Sequence, residues 1–289
     1  MADAQAMLKR FLNDTALGRR LRHSWEPTVR DVLGVRPIRF RQPRSWNESV
    51  SDAFVWRRDH DFETRFELMN LRSFIDPDNA SREHALMMFF SKSGKEIGRS
   101  SFKLDPFEIR RVDLADTLPI GTTGYGTFCV FHEQEAASDS HDLGTCLMDR
   151  SYASYTNSQN RSLWSYVHGC CNTYVLSYSF SRSKTCHLSI DTRRKQVYKP
   201  QLQFDDCQRF EVCVSNPLSK PTTISVNVAD ADGTEVERVV ADLDPLACRM
   251  ISIDNAKFDK ARIEIEGNVQ LCRPLLFKYY DSHFDVLHA

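Results

Sequence analysis

The sequence predicts a mainly β protein: two tandem antiparallel immunoglobulin-like β-sandwich domains preceded by a helical N-terminal arm. Three observations lead there. First, Leu104-Asp105-Pro106-Phe107 leads to Arg110, Val112 and Leu114, and Leu243-Asp244-Pro245-Leu246 leads to Arg249, Ile251 and Ile253 in the same spacing. Second, Gly94 and Gly233 stand at the same offset of 139 residues as these two stretches. Third, short alternating runs recur with turn signals between them, as in antiparallel sandwiches. The division that follows is an arm over 1–34, a first sandwich over 35–170 and a second over 171–289.

The arm rests on Ala4, Met7, Leu8, Phe11 and Leu12, which recur at three- and four-residue spacing and make one apolar stripe. Pro27 before an apolar-rich run and Gly34 after it read as a second, short helix. Such an arm either packs across a sandwich or joins copies of the chain into a homo-oligomer. Arg36 to Arg41 then alternates basic and apolar residues, the pattern of a connector or a charged edge strand. It is too short to argue for nucleic acid.

Within the first unit Arg65-Phe66-Glu67-Leu68 matches Arg209-Phe210-Glu211-Val212 of the second. Ala85 to Phe90 reads as a buried strand and Ser93-Gly94 as a turn. In the second unit Ile224, Val226 and Val228 alternate, and Asp232-Gly233 is a hairpin turn. Arg110 and Arg249 fall on the side of the apolar residues that follow them. Each is therefore expected to find an ion pair or to extend its head to water.

Length suits two domains that each close a core. Hydrophobic residues make up 41% and charged residues 27%, a globular composition. No run approaches an apolar membrane span, and the first residues do not form a secretory signal. Nine scattered cysteines, an odd number without a C-x-x-C pair, read as reduced thiols in a bacterial cytoplasmic protein. Residues 1–50 hold ten Lys/Arg against five Asp/Glu, and residues 200–289 nine against fifteen. That polarity suits head-to-tail association or an acidic partner, or is simply two solvated surfaces.

The segment 132–200 is rich in aromatic and amide side chains. Tyr152, Tyr155, Asn157, Arg161, Trp164 and His168 are its candidate ligand residues: rings stack on sugars or bases, while Asn and Arg supply planar hydrogen bonding. The competing expectation is that these rings seal the seam between the two units. At the C-terminus His283, Asp285 and His288 are candidate metal ligands, although an exposed terminal cluster more often binds nothing. His168 lies next to Gly169-Cys170-Cys171, so a His-centred enzyme of carbohydrate metabolism is the rival reading. No G-x-S-x-G, P-loop, G-x-G-x-x-G or H-E-x-x-H occurs. No cofactor is implied.

Glu211, Asn216 and Pro217, then an alternating strand, then Asp230 or Asp232 with Gly233, then the proline-led step into a strand with Arg249, form a pattern. With Arg273-Pro274-Leu275-Leu276-Phe277 it resembles the small β-sandwich of the sensory rhodopsin transducer family. The resemblance implies an oligomeric binding or signalling module without catalysis, and carries over no residue role. The arm and the segment 132–200 depart from that family's pattern. The expectation is therefore a non-catalytic module that binds a glycan, a nucleotide-sugar or a protein partner near the junction of its two units, or else a structural oligomer.

Overall fold

The computed structural model describes residues 38–39, 49–75, 77–134, 148–149, 151–158, 163–169, 173–178, 184–187, 191–200, 207–216, 220–230, 232–254, 262–269 and 274–288. The expected helical arm, including Met7 and Phe11, lies outside them. Among the described residues helix is confined to α1 (Leu71–Ile75), α2 (Leu114–Thr117) and a 3-10 turn at Pro77–Asn79. None is long and apolar enough to cross a membrane.

The rest is strand. In chain order these are β1 (Ile38–Arg39), β2 (Ser49–Arg58), β3 (Glu63–Met69), β4 (Glu83–Ser91), β5 (Glu96–Leu104), β6 (Ile109–Asp113) and β7 (Gly124–Gln134). There follow β8 (Met148–Asp149), β9 (Ala153–Thr156), β10 (Ser165–Val167), β11 (Thr173–Tyr178), β12 (Lys184–His187) and β13 (Asp191–Tyr198). The last are β14 (Arg209–Ser215), β15 (Thr222–Ala229), β16 (Glu235–Leu243), β17 (Cys248–Asp254), β18 (Arg262–Val269), β19 (Leu275–Tyr279) and β20 (Phe284–His288). They form four sheets. The first has the order β1-β12-β11-β2-β7-β4-β5, with β8 parallel to β2. The second is β10-β9-β3-β6, the third β17-β14-β19-β20 and the fourth β13-β18-β15-β16.

This arrangement corrects the expected pair of immunoglobulin-like sandwiches. The chain is mainly β, but its four antiparallel sheets are set in a propeller-like group, not as two self-contained sandwiches. The physical reason is visible in β14. A sandwich strand with one solvent face alternates in burial, whereas β14 is buried at every position after Arg209. Phe210, Val212 and Val214 enter one core with Ile224, Val226, Ile263 and Ile265 of the fourth sheet. Cys213, Leu275 and Phe277 enter the other core with Phe54, Phe89, Phe128 and Phe66 of the first and second sheets. The third sheet thus carries a share of both cores. Strands β11 and β12, beyond residue 170, pair into the first sheet beside β2.

The first sheet is also covered twice. On one face Phe54 and Phe128 meet Phe66 of β3, with ring centroids 4.8 and 5.4 Å apart. From the other face Arg57 and Tyr125 reach Glu211 and Met250 of the third sheet. Strand β4, with Leu86 to Phe90 all buried, follows from this double burial.

The order of pairing repeats along the chain. The run β2-β7-β4-β5 corresponds to β13-β18-β15-β16, and β10-β9-β3-β6 to β20-β19-β14-β17. The two proline-led turns match closely. Phe107 and Leu246 both hold positive φ, 64° and 63°. Asn70 and Asn216 each brace their turn by donating side-chain hydrogen bonds to backbone oxygens, Asn70 to Asp105 and Asn216 to Leu243 and Asp244. These asparagines stand 146 positions apart. At that offset Phe66 opposite Val112 corresponds to Val212 opposite Ile251. The Arg-Phe-Glu match at 65–67 and 209–211 is therefore out by two residues. Arg110 bonds Glu108 and the Lys103 carbonyl, and Arg249 the Val240 carbonyl, so both heads leave the apolar face for its rim.

The turn at Leu246 is plugged into the β4–β5 turn. The Cys248 amide donates to the Lys92 carbonyl at 3.0 Å. A Cβ on Gly94 would fall on the carbonyl oxygen of Pro245 and lie 2.7 Å from the Ala247 nitrogen. Its counterpart Gly233 has nothing among the described residues within 4 Å of that position. Both have left-handed φ, 79° and 83°, so alanine strains each backbone by about 1 kcal/mol. Only Gly94→Ala also drives two backbones apart. Urea unfolding is expected to show a loss of about 1 kcal/mol for Gly233→Ala and about 3 kcal/mol or more for Gly94→Ala. Equal losses would contradict this account of the joint.

Candidate functional site

The outer face of the second sheet is built by parity. Along β3, Thr64, Phe66 and Leu68 point inward, so Arg65 and Glu67 point out. Register then fixes their neighbours. Asp113 and Arg111 of β6 lie beside Arg65 and Glu67, Ser154 of β9 lies on the other side of Arg65, and Tyr166 of β10 faces Ser154. The same alternation brings Tyr152, Trp164 and His168 to this face. Four aromatic or imidazole rings and two arginine–carboxylate pairs thus share one surface.

The geometry is specific. The Tyr152 and His168 rings lie 4.1 Å apart and tilted by 33°. The Arg65 guanidinium carbon sits 3.9 Å over the Trp164 ring, an attraction of about 1 kcal/mol at a partly exposed site. Arg65 also bonds Asp113 at 3.1 Å, and Arg111 bonds Glu67 at 2.9 Å. That bond to Glu67, and after it the negative field of Tyr166, hold the Arg111 guanidinium above its ordinary range. Tyr152 and Tyr166 stay 42% and 48% exposed. For large rings on a sheet this leaves ring surface open to a ligand.

Of the residues expected to bind ligand, Tyr152, Trp164 and His168 are therefore brought together. Tyr155 is not with them. It points to the interior, is fully buried, and donates its hydroxyl to the Val55 carbonyl at 2.7 Å while its ring meets Phe277. Asn157, also buried, has the inward parity of Tyr155. Arg161 lies outside the described residues. Tyr166 joins the face from the same stretch, whereas Arg65, Glu67, Arg111 and Asp113 come from distant strands. Nothing within 152–168 points to those four.

The C-terminal candidates are separated. Asp285 accepts the Ser165 hydroxyl at 2.5 Å, which joins β20 to β10. His283 stacks on Tyr280 at 4.5 Å. The His288 ring instead lies parallel to His168, 6.3 Å away. Among the described residues no three His, Cys, Asp or Glu side chains are grouped to hold a metal ion. The rings flanking His168 are Tyr152 and His288, and Cys170 lies outside the described residues.

A second polar cluster is buried between the first and third sheets. Arg57, fully buried, bonds Asp59 and Glu211 at 2.7 Å each. Its guanidinium carbon lies 3.8 Å from the Phe62 centroid and 4.6 Å from that of Phe277. Tyr279 donates to Glu211 at 2.5 Å and accepts from Arg57 at 3.2 Å. Burial opposes the charge on Arg57. The bond to Asp59 and the fields of Tyr279, Glu211 and Asp59 outweigh it, so the group is held above its ordinary range. Burial pushes the Tyr279 phenol up, and Glu211 adds to that while Arg57 opposes. With the guanidinium closed in by carboxylates and rings, the cluster is a joint between sheets.

No family model matches the chain, and no curated protein matches it. Among solved structures it is similar to a β-glucuronidase from glycoside hydrolase family 2, at 12% identity and a TM-score of 0.17, over 86% of this chain and 24% of that one. It is similar also to a family 2 glycosyl hydrolase from Bacteroides cellulosilyticus, at 8% identity and a TM-score of 0.16, over 82% and 26%. A β-glucuronidase of Bacteroides uniformis gives 9% and 0.16, over 82% and 25%. The chain spans about a quarter of the length of these enzymes. The likeness is too slight to bear on fold or chemistry.

Two outcomes are expected of the buried joint. Arg57→Met leaves Glu211 buried without its cation and should lose about 3 kcal/mol or more in urea unfolding. The Tyr279 phenol is raised on folding, so the folded chain holds its proton where the unfolded chain releases it. Its contribution is complete below the ordinary phenol value of about 10 and declines as pH rises above that. Urea midpoints should fall less steeply above pH 10 in Tyr279→Phe than in the parent protein, and identical slopes would reject the assignment.

Proposed function

We propose that the protein is a binding module whose ligand face is the outer surface of β10-β9-β3-β6, and that its ligand is a saccharide, as a glycan or a nucleotide-sugar. The observation that supports this is the convergence of Tyr152, Trp164, Tyr166 and His168 on one solvent-facing sheet face, with Tyr152 and Tyr166 nearly half exposed. Sugar rings present flat C–H faces, and exposed tyrosine or tryptophan rings stack on them while their edges offer hydrogen bonds. Arg65 and Arg111, each already bonded to a carboxylate, leave the face with mixed polarity and little net charge. A neutral hydroxyl-rich ligand suits such a face better than a polyanion. A rigid sheet also pre-orders the platform, which lowers the entropy lost on binding.

A glycan array followed by calorimetry on its best ligand tests this reading. Tyr166→Ala and Tyr152→Ala are each expected to weaken binding about tenfold or more. Tyr155→Ala, on the opposite face, should lower the unfolding midpoint and leave the affinity of the folded protein near that of the parent. An array without saccharide binding, or a Tyr166→Ala variant that binds as the parent does, would reject the proposal.

A further inference from the structure

The two proline-led turns have the same backbone shape but opposite fates. Leu246, at the tip of the second, is 6% exposed because it is plugged against the Gly94 turn. Phe107, at the tip of the first, is 47% exposed, rests edge-on against Phe74, itself 45% exposed and 5.6 Å away, and is followed by Ile109 at 58%. A bulky aromatic held at a φ of 64° on the surface is unusual. Here the turn is stiffened from within. Glu108 accepts the Asp105 amide and holds Arg110, and the amide bond draws its carboxyl below the usual range. The second turn, with Ala247 in that place, is stiffened by docking.

The receiving turn also occurs twice, and its second copy is open. Gly94 is filled by the Leu246 turn, while Gly233 of the β15–β16 turn keeps left-handed φ and, among the described residues, meets nothing where Gly94 meets backbone. Among the described residues there are therefore one mated tip and socket, one tip at Phe107 without a socket and one socket at Gly233 without a tip. From this we infer that the free tip of one copy docks into the free socket of a second copy, repeating between molecules the joint already made within one. Charge favours the pairing. The internal joint sets Lys92 and Lys95 beside its socket and Asp244 beside its tip. The free socket is acidic, with Asp230, Asp232 and Glu235 around Gly233; at the free tip Asp105 and Glu108 are already bonded to Arg82 and Arg110, and Lys103 adds positive charge. Such a contact joins unlike surfaces, so it extends into a chain of molecules instead of closing at a dimer. This contact does not rest on the saccharide reading, although the tip lies at the start of β6, which borders that face.

Sedimentation velocity over a concentration series at low salt tests this. The parent protein is expected to grow in mean mass with concentration without stopping at a dimer. Phe107→Ser and Asp232→Lys should each raise the dissociation constant about tenfold or more, while circular dichroism and the unfolding midpoint stay at parent values. Ile109→Lys is a second tip variant should Phe107→Ser fold poorly. The decisive sample is an equimolar mixture of Phe107→Ser and Asp232→Lys, which retains one good socket and one good tip. It should form a one-to-one dimer and nothing larger. A parent protein that remains a monomer throughout, a tip variant that associates as the parent does, insensitivity to Asp232→Lys, or a mixture that fails to dimerise would each overturn the inference.

Discussion

The buried guanidinium of Arg57 ties the molecule together. Arg57 leaves the first sheet and is received by Glu211 of the third, with Asp59, Tyr279, Phe62 and Phe277 closing around it. Desolvating such a charge is expensive, and only a full set of partners offsets it. The sheets must therefore meet in one register. A slide of one residue would place Arg57 against a face that lacks Glu211 and would turn Phe277 away. The apolar contacts around it supply most of the attraction, but they would tolerate other packings. The charge cluster selects among them.

That selection explains why the central strands of the third sheet, β14 and β19, have no solvent face. These strands send alternate residues to two cores, Val212 and Leu276 to one and Cys213 and Phe277 to the other. The plugged turn at Leu246 adds a backbone-to-backbone contact between β4–β5 and the approach to β17. The same packing places β10 beside β20 through Ser165 and Asp285. It thereby steadies the edge strand that carries Tyr166 and leads into His168.

Much of this was legible in the sequence, and the failures have physical causes. The mainly β class followed from alternation, and the two Leu-Asp-Pro turns were found because a proline-led turn needs its residues at fixed spacing. The grouping of sheets was not legible. Burial on both faces shows as a continuous apolar run, and in β14 that run is broken by Glu211, a charged residue that reads as outward until Arg57 is seen opposite it. The expected equivalence of Arg65 and Arg209 failed by two residues for a similar reason: short Arg-Phe-Glu matches recur by chance, whereas Asn70 and Asn216 are fixed by the carbonyls they brace. In the ligand stretch, parity alone would have parted Tyr155 from Tyr152. Arg65 and Arg111 could be added only through pairing between strands far apart in sequence.

The strand that serves two cores also has an evolutionary consequence. Neighbouring positions on β14 belong to different selective environments: a change at Val212 is judged by Ile224 and Ile265, and one at Cys213 by the aromatic residues of the other half. Substitutions in homologues should thus covary in two interleaved sets, odd positions with one half of the molecule and even positions with the other. Neither half could then drift, recombine or be exchanged as a cassette without its counterpart adjusting in step.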